Sequence, residues 1–343
     1  MKKMRTNNLL LKELRDLSFF LGSNIDWIQG AGGNTSVKDN GVLWVKASGY
    51  WLSDAEIKNI FIPLDRQMVL DKINLEIEDL SSAQIYESQD KNIRPSIETT
   101  LHALMRHKFV VHAHSVNVIS YAVLKNGKEA ISQKLQGMNW LWVPYVRPGL
   151  PLTMMLKQMN IYDFDVVILA NHGLVVGGET KKEVLDLFNQ VEIRLNRPVR
   201  GNFSKTDNLA LSTIIDSSNY KLPKHDLSHS LAKDSLSLQV MIKNALYPDH
   251  VIFLGPGSIP IMTHEKFIKE SFQKSLNYKV IVIKDIGAVV NQNLSENAEE
   301  MLHCFANVLL RLQSNDDLQH LTQNQETELL GWDAEKYRKS IQR

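Results

Sequence analysis

The chain has one cysteine, Cys304, in 343 residues. An intrachain disulfide is excluded, and this usage fits a reducing compartment. There is almost no net charge: 39 basic and 38 acidic side chains leave +1, with both signs mixed along the chain. That argues against nucleic acid or an anionic membrane as the main partner. No run approaches the ~20 apolar residues of a membrane span. Met1-Lys2-Lys3-Met4-Arg5 resembles the charged start of a signal peptide, but the apolar run after it is cut by Lys12, Glu13, Arg15 and Asp16. No signal core follows, so the expectation is a soluble cytoplasmic protein. Gly255-Pro256-Gly257 lacks the lysine and the following helix of a P-loop. No nucleotide-binding glycine fingerprint is present.

What the chain does have is 43% hydrophobic content, enough for a sizeable core, and a length that suggests about two domains. The informative stretch is Val111-His112-Ala113-His114. The run from Phe109 reads as a buried strand, on which residues i and i+2 share a face, so His112 and His114 project together. A second apolar run, Asp165 to Ala170, ends just before Asn171-His172-Gly173. If the two strands are neighbours, three imidazoles converge. Three protein ligands with an open position are what a catalytic zinc needs. Arg94-Pro95-Ser96-Ile97-Glu98 reads as the start of a helix running to about Lys108, with Ser96 at its N-cap. A helix start also favours anions. Glu98, in that first turn, can reach the histidine site. His102 and His107 read as structural residues on a packed helix.

Gln29-Gly30-Ala31-Gly32-Gly33-Asn34 allows two readings, an anion nest or a plain glycine turn. Asp39-Asn40-Gly41 signals a hairpin. Lys46 reads as a solvated strand residue. Ser48 is either a phosphate donor or a hydroxyl satisfying its own turn. Ser53-Asp54-Ala55-Glu56 reads as a capping box, His250 to Leu254 as a strand, and the polar stretch 201–226 as a linker. Residues 165–195 and 279–312 share one outline of strand, turn ending in Gly, apolar triplet and helix, with Ile286-Gly287 matching His172-Gly173.

With these motifs assembled, the chain resembles the class II aldolase/adducin family. The resemblance rests on Gly32-Gly33-Asn34-Thr35-Ser36, Ala47-Ser48-Gly49, Pro95-Ser96-Ile97-Glu98, His112-Ala113-His114 and Asn171-His172-Gly173, in that order, over residues 8–200. Arg94-Pro95-Ser96-Ile97-Glu98-Thr99 and Gly331-Trp332-Asp333-Ala334-Glu335-Lys336-Tyr337 are similar to the aldolase half of bifunctional rhamnulose-phosphate aldolase/dehydrogenase proteins, and the chain stops where a dehydrogenase half would begin. The resemblance implies a three-layer α/β/α catalytic domain over 1–200 with a mixed, largely antiparallel sheet. A linker (201–226) and a smaller C-terminal α/β region (227–343) follow. It implies zinc or another divalent metal on His112, His114 and His172. It also implies Glu98 as acid/base, phosphate binding by Asn34, Ser48, Gly49 and Ser96, and a homo-oligomer. Ala31 and Ile97 depart from the family's hydroxyl residues. The implied reaction is cleavage of a ketose 1-phosphate, such as rhamnulose 1-phosphate, to dihydroxyacetone phosphate and an aldehyde. The alternatives are an epimerase, decarboxylase or dehydratase on the same metal site, a sugar-phosphate sensor, or a non-catalytic adducin-like interaction module.

Overall fold

The computed structural model describes residues 8–85, 93–201, 206–216, 218–272 and 276–331, which fall into two compact units. The first holds the described residues up to Ala122 together with Asn126–Asn196. The second holds Val123–Lys125 and those from Arg197 onward. The motif Trp332 to Tyr337 lies outside the described residues.

In the first unit, Asn40 and Gly41 both take positive φ (48° and 83°), as a two-residue I′ hairpin loop requires. They join β1 (Asn34–Asp39) to β2 (Val42–Lys46), as the sequence predicts. The other elements are α1 (Asn8–Gly22), β3 (Phe61–Asp65), α2 (Arg66–Asn74), α3 (Thr99–Leu104), β4 (Phe109–Ala113), α4 (Val116–Ala122) and α5 (Gly127–Ser132). Then come β5 (Trp140–Val143), α6 (Leu150–Gln158), β6 (Val166–Leu169), β7 (Gly173–Gly178) and α7 (Lys181–Arg194). The strands pair in the order β3-β2-β1-β4-β7-β6-β5, and only β5–β6 is parallel. One expectation is corrected here. The strand before His172, β6, does not neighbour β4, because β7 lies between them. His172 still reaches the end of β4, because it sits in the β6–β7 turn and β7 pairs with β4, Leu174 opposite Ala113.

Strand alternation sorts the two faces. Val110, Val167, Leu169 and Val175 pack with Leu101 of α3 and with Leu152 and Leu156 of α6. Leu43, Val45 and Leu64 pack with Val69 and Ile73 of α2. Helices α1, α4 and α7 pack on β1, β4 and β7. Leu14, Leu17 and Leu21, which carry the helical spacing of α1, are fully buried. The sheet is therefore sandwiched between helices, a three-layer arrangement. The segment Leu52–Glu56 is a single 3₁₀ turn with Trp51 at its N-cap and no side-chain cap, so the expected capping box does not form.

The second unit contains α8 (Asn208–Ile215), β8 (Tyr220–Lys221), α9 (Ser235–Met241), β9 (Ile261–Met262), α10 (His264–Phe272), β10 (Val280–Ile283), β11 (Gly287–Asn291), α11 (Glu296–Arg311) and α12 (Gln323–Gly331). Its sheet runs β8-β11-β10-β9. Both α8 and β8 fall in the stretch read as a linker. Asp207 caps α8 by accepting from the Ala210 amide at 3.0 Å, and Leu211 and Ile215 are buried. His250–Leu254 is a π-helical turn rather than a strand. Five consecutive buried residues have no period to separate the two.

The strand–turn–strand outline recurs with the same internal geometry. Val166 pairs with Val176 and Val280 with Val290. Asn171 and Asp285 both take left-handed φ, 53° and 63°. The His172 amide bonds Leu169 O at 3.1 Å, as Ile286 bonds Ile283 at 3.0 Å. Ile286 thus occupies the place of His172, and no second histidine trio occurs among the described residues.

The His250 ring packs on Phe305 with centroids 4.4 Å apart, and burial pulls its pKa from 6.5 down to about 3. A histidine held neutral in the fold gives stability that is intact above its unfolded value and is lost as pH falls toward the folded one. His250→Phe is expected to flatten the pH dependence of urea unfolding between 6.5 and about 3. Parent and variant curves of equal slope contradict this.

Candidate metal centre and active site

His112 lies near the end of β4, on the face of Val110 that meets α3, and His114 follows the strand. The left-handed Asn171 turns His172 back toward both. The ligand nitrogens of His112, His114 and His172 all lie within 4.8 Å of one another. Nε2 of His112 stands 3.1 Å from Nε2 of His114. Nδ1 of His112 is 3.0 Å from the Leu174 carbonyl oxygen, which can only accept. Nδ1 therefore carries the hydrogen, and Nε2 turns its lone pair toward the other ring. With that lone pair and two further imidazole nitrogens converging beside a carboxylate, the donor set fits one divalent ion. His112 is fully buried, while the His172 side chain is 10% exposed and leaves an approach.

Glu98 completes the cluster. Its Oε2 is 3.2 Å from Nε2 of His112 and its Oε1 is 3.3 Å from Nε2 of His172. Burial pushes this carboxyl up, but the imidazoles of His112, His172 and His114 and the Asn34 amide outweigh it and hold the pKa at about 2. Asn34 opens β1 directly opposite His112. Its Nδ2 donates to Glu98 Oε2 at 2.8 Å and to Ser96 Oγ at 3.1 Å.

Ser96 is not an N-cap. Helix α3 begins at Thr99, two turns shorter than the sequence predicts, with Glu98 at the cap. The Ser96 amide instead donates to Lys46 O at 3.0 Å, and the Ser48 amide donates to Arg94 O at 2.9 Å. The Ser48-Gly49 corner, with Gly49 at φ 81°, therefore runs beside residues 94–96.

The glycine loop serves a need that neither sequence reading contained. A Cβ on Gly32 would stand 2.9 Å from His114 Nδ1, and one on Gly33 (φ 57°) would stand 2.8 Å from His112 O. The glycines make room for the histidine segment. Gly32→Ala is expected to cost about 1–3 kcal/mol, as overpacking does, and to weaken metal binding through His114. Unchanged urea stability and unchanged metal affinity contradict that.

Three residues in this region were not legible as such. Lys46, read as solvated, is buried, and its ammonium donates to Ala31 O at 2.7 Å, Tyr50 O at 2.8 Å and Gly32 O at 3.4 Å. It ties the glycine loop to the Ser48-Gly49 corner. His102, read as packing, is fully buried between Ser36 Oγ, 2.7 Å from its Nδ1, and Asn34 Oδ1 at its Nε2. Burial keeps its imidazole pKa well below the ordinary range. Glu192 of α7 accepts from Trp27 Nε1 and Asn117 Nδ2, both at 3.1 Å, and from Ser115 Oγ, fastening the chain just after His114. His107 does stay apart from the cluster, pairing with Asp165 at 2.8 Å.

A family model described as the class II aldolase and adducin N-terminal domain matches residues 21–195. The chain belongs to the class II aldolase/adducin family. A curated relative from Bacillus subtilis, the uncharacterized oxidoreductase YuxG, is 36% identical over 188 residues, covering 50% of this chain and 27% of the relative. The chain thus matches only about a quarter of that longer protein. Among solved structures, the N-terminal class II aldolase domain of a conserved Thermoplasma acidophilum protein is 28% identical, covering 57% of this chain and 97% of its own, with a TM-score of 0.47. A sugar-phosphate aldolase from Thermotoga maritima is 16% identical, covering 54% and 93%, with a TM-score of 0.40. No described helix is long and apolar enough to cross a membrane.

Proposed function

We propose that this family member is a divalent-metal-dependent aldolase that cleaves a ketose 1-phosphate, such as rhamnulose 1-phosphate, into dihydroxyacetone phosphate and an aldehyde. The observation that carries the reading is the Glu98 carboxylate held against three converging imidazoles. A divalent cation on His112, His114 and His172, zinc being the natural choice for such a set, supplies Lewis-acid polarisation of the ketose oxygens. In the synthetic direction Glu98 takes a proton from C3 of dihydroxyacetone phosphate. In cleavage the C4 hydroxyl gives up its proton as the C3–C4 bond breaks and the aldehyde leaves, and Glu98, protonated in exchange, delivers a proton to C3, so the reaction has no net proton change. Ser48, Gly49 and Ser96 form the phosphate end of the site, whereas Asn34, also expected there, spends both amide hydrogens on Glu98 and Ser96 and holds the carboxylate instead. A soluble cytoplasmic homo-oligomer acting on a small phosphorylated sugar completes the reading.

The test is release of dihydroxyacetone phosphate from a panel of ketose 1-phosphates, with and without chelator. Release that depends on the metal supports the reading, and release indifferent to metal removal overturns it. An epimerase, decarboxylase or dehydratase would use the same cluster and would show itself by product. A non-catalytic adducin-like module would have no use for Glu98 beside the histidines.

A further inference from the structure

We propose that His102 is a positioning residue for Glu98, acting through Asn34. The inference rests on Glu98 being the acid/base. A carboxylate can only accept, so the Asn34 carboxamide must turn its NH₂ toward Glu98 Oε2, and that NH₂ also serves Ser96. Its Oδ1 then faces His102 Nε2, which must carry the hydrogen. Nδ1 of His102 is left as an acceptor, and the Ser36 hydroxyl donates to it at 2.7 Å. Every hydrogen in the chain Ser36–His102–Asn34–Glu98 therefore has one direction.

The backbone supports that direction. Asn34 and Ser36 share one face of β1, the face that meets α3, on which His102 sits four residues after Glu98. The chain also distinguishes the two oxygens of Glu98. Oε2 is occupied by the Asn34 amide, whereas Oε1 has no hydrogen-bond partner among the described residues. Oε1 is the oxygen left to move a proton. His102 fixes the oxygen end of the Asn34 amide as Glu98 fixes its NH₂ end, so without His102 the amide is held at one end only.

The tautomer is read directly by nitrogen NMR of the full chain labelled at histidine. A hydrogen on Nε2 of His102 near neutral pH is expected, and a hydrogen on Nδ1 overturns the inference. A double-mutant cycle supplies the functional test. His102→Leu is expected to lower kcat by about 10–100-fold, in line with the cost of a misplaced catalytic group, with KM within about threefold and metal content unchanged. His102→Gln, whose amide can donate to Asn34, is expected to recover most of the loss. In an Asn34→Ala background, His102→Leu is expected to cost little more, whereas an equal cost in both backgrounds assigns His102 to packing alone and overturns the inference. A parent protein with no lyase activity defeats the reading of the reaction instead, and the tautomer then decides the inference on its own.

Discussion

Glu98→Gln is expected to lower turnover by about 10²–10⁴-fold, the range ordinarily lost with a general acid/base. The amide has nearly the shape of the carboxylate and keeps an oxygen for the Asn34 N–H, which now lies 2.8 Å from Oε2. It cannot take up a proton. The three histidines keep their ligand nitrogens in this variant, so metal content is expected to stay at the parental level. Loss of rate and of metal together would make Glu98 a ligand first and a base second. A near-parental rate would remove it from the chemistry. The same variant separates proton transfer from bond cleavage, because exchange of the C3 proton of dihydroxyacetone phosphate with heavy water needs only the first step. That exchange is expected to fall in parallel with turnover.

His112→Ala is expected to lose metal and activity together. The ring is fully buried, its Nδ1 is anchored on Leu174 O at 3.0 Å, and its Nε2 faces both His114 and Glu98. Outer-shell changes at metal sites typically cost about 10–100-fold in affinity, and loss of a ligand is expected to exceed that. His107 is the matching control. It precedes β4 whereas His112 lies near the far end of that strand, and it is committed to Asp165 rather than to the cluster. His107→Ala is expected to keep its metal, at some cost in stability. Equal metal loss in both variants would point to unfolding rather than ligation.

Much of this was legible because the chemistry lay in local patterns. The hairpin at Asn40-Gly41 needs two positive φ values, and those residue types announce it. The His-x-His pair shares a face because strand alternation demands it. The failures have physical causes too. Sequence spacing carries no strand order, so β7 between β4 and β6 was invisible, although it is what delivers His172. A lysine on a strand is ordinarily solvated, and only the fold brings the carbonyls of Ala31 and Tyr50 together to hold Lys46 inside. His102 sits among apolar helix neighbours, and its partners Asn34 and Ser36 are more than sixty residues away. Buried polar relays of this kind are assembled by tertiary contacts and leave no local signature.

Metal analysis of the purified chain, followed by X-ray absorption at the edge of the metal found, tests the central claim most directly. One divalent ion per chain with three imidazole nitrogens is the predicted result, at about 2.0–2.1 Å if the metal is zinc. A chain that takes up no divalent ion, or binds one without histidine, would contradict the account.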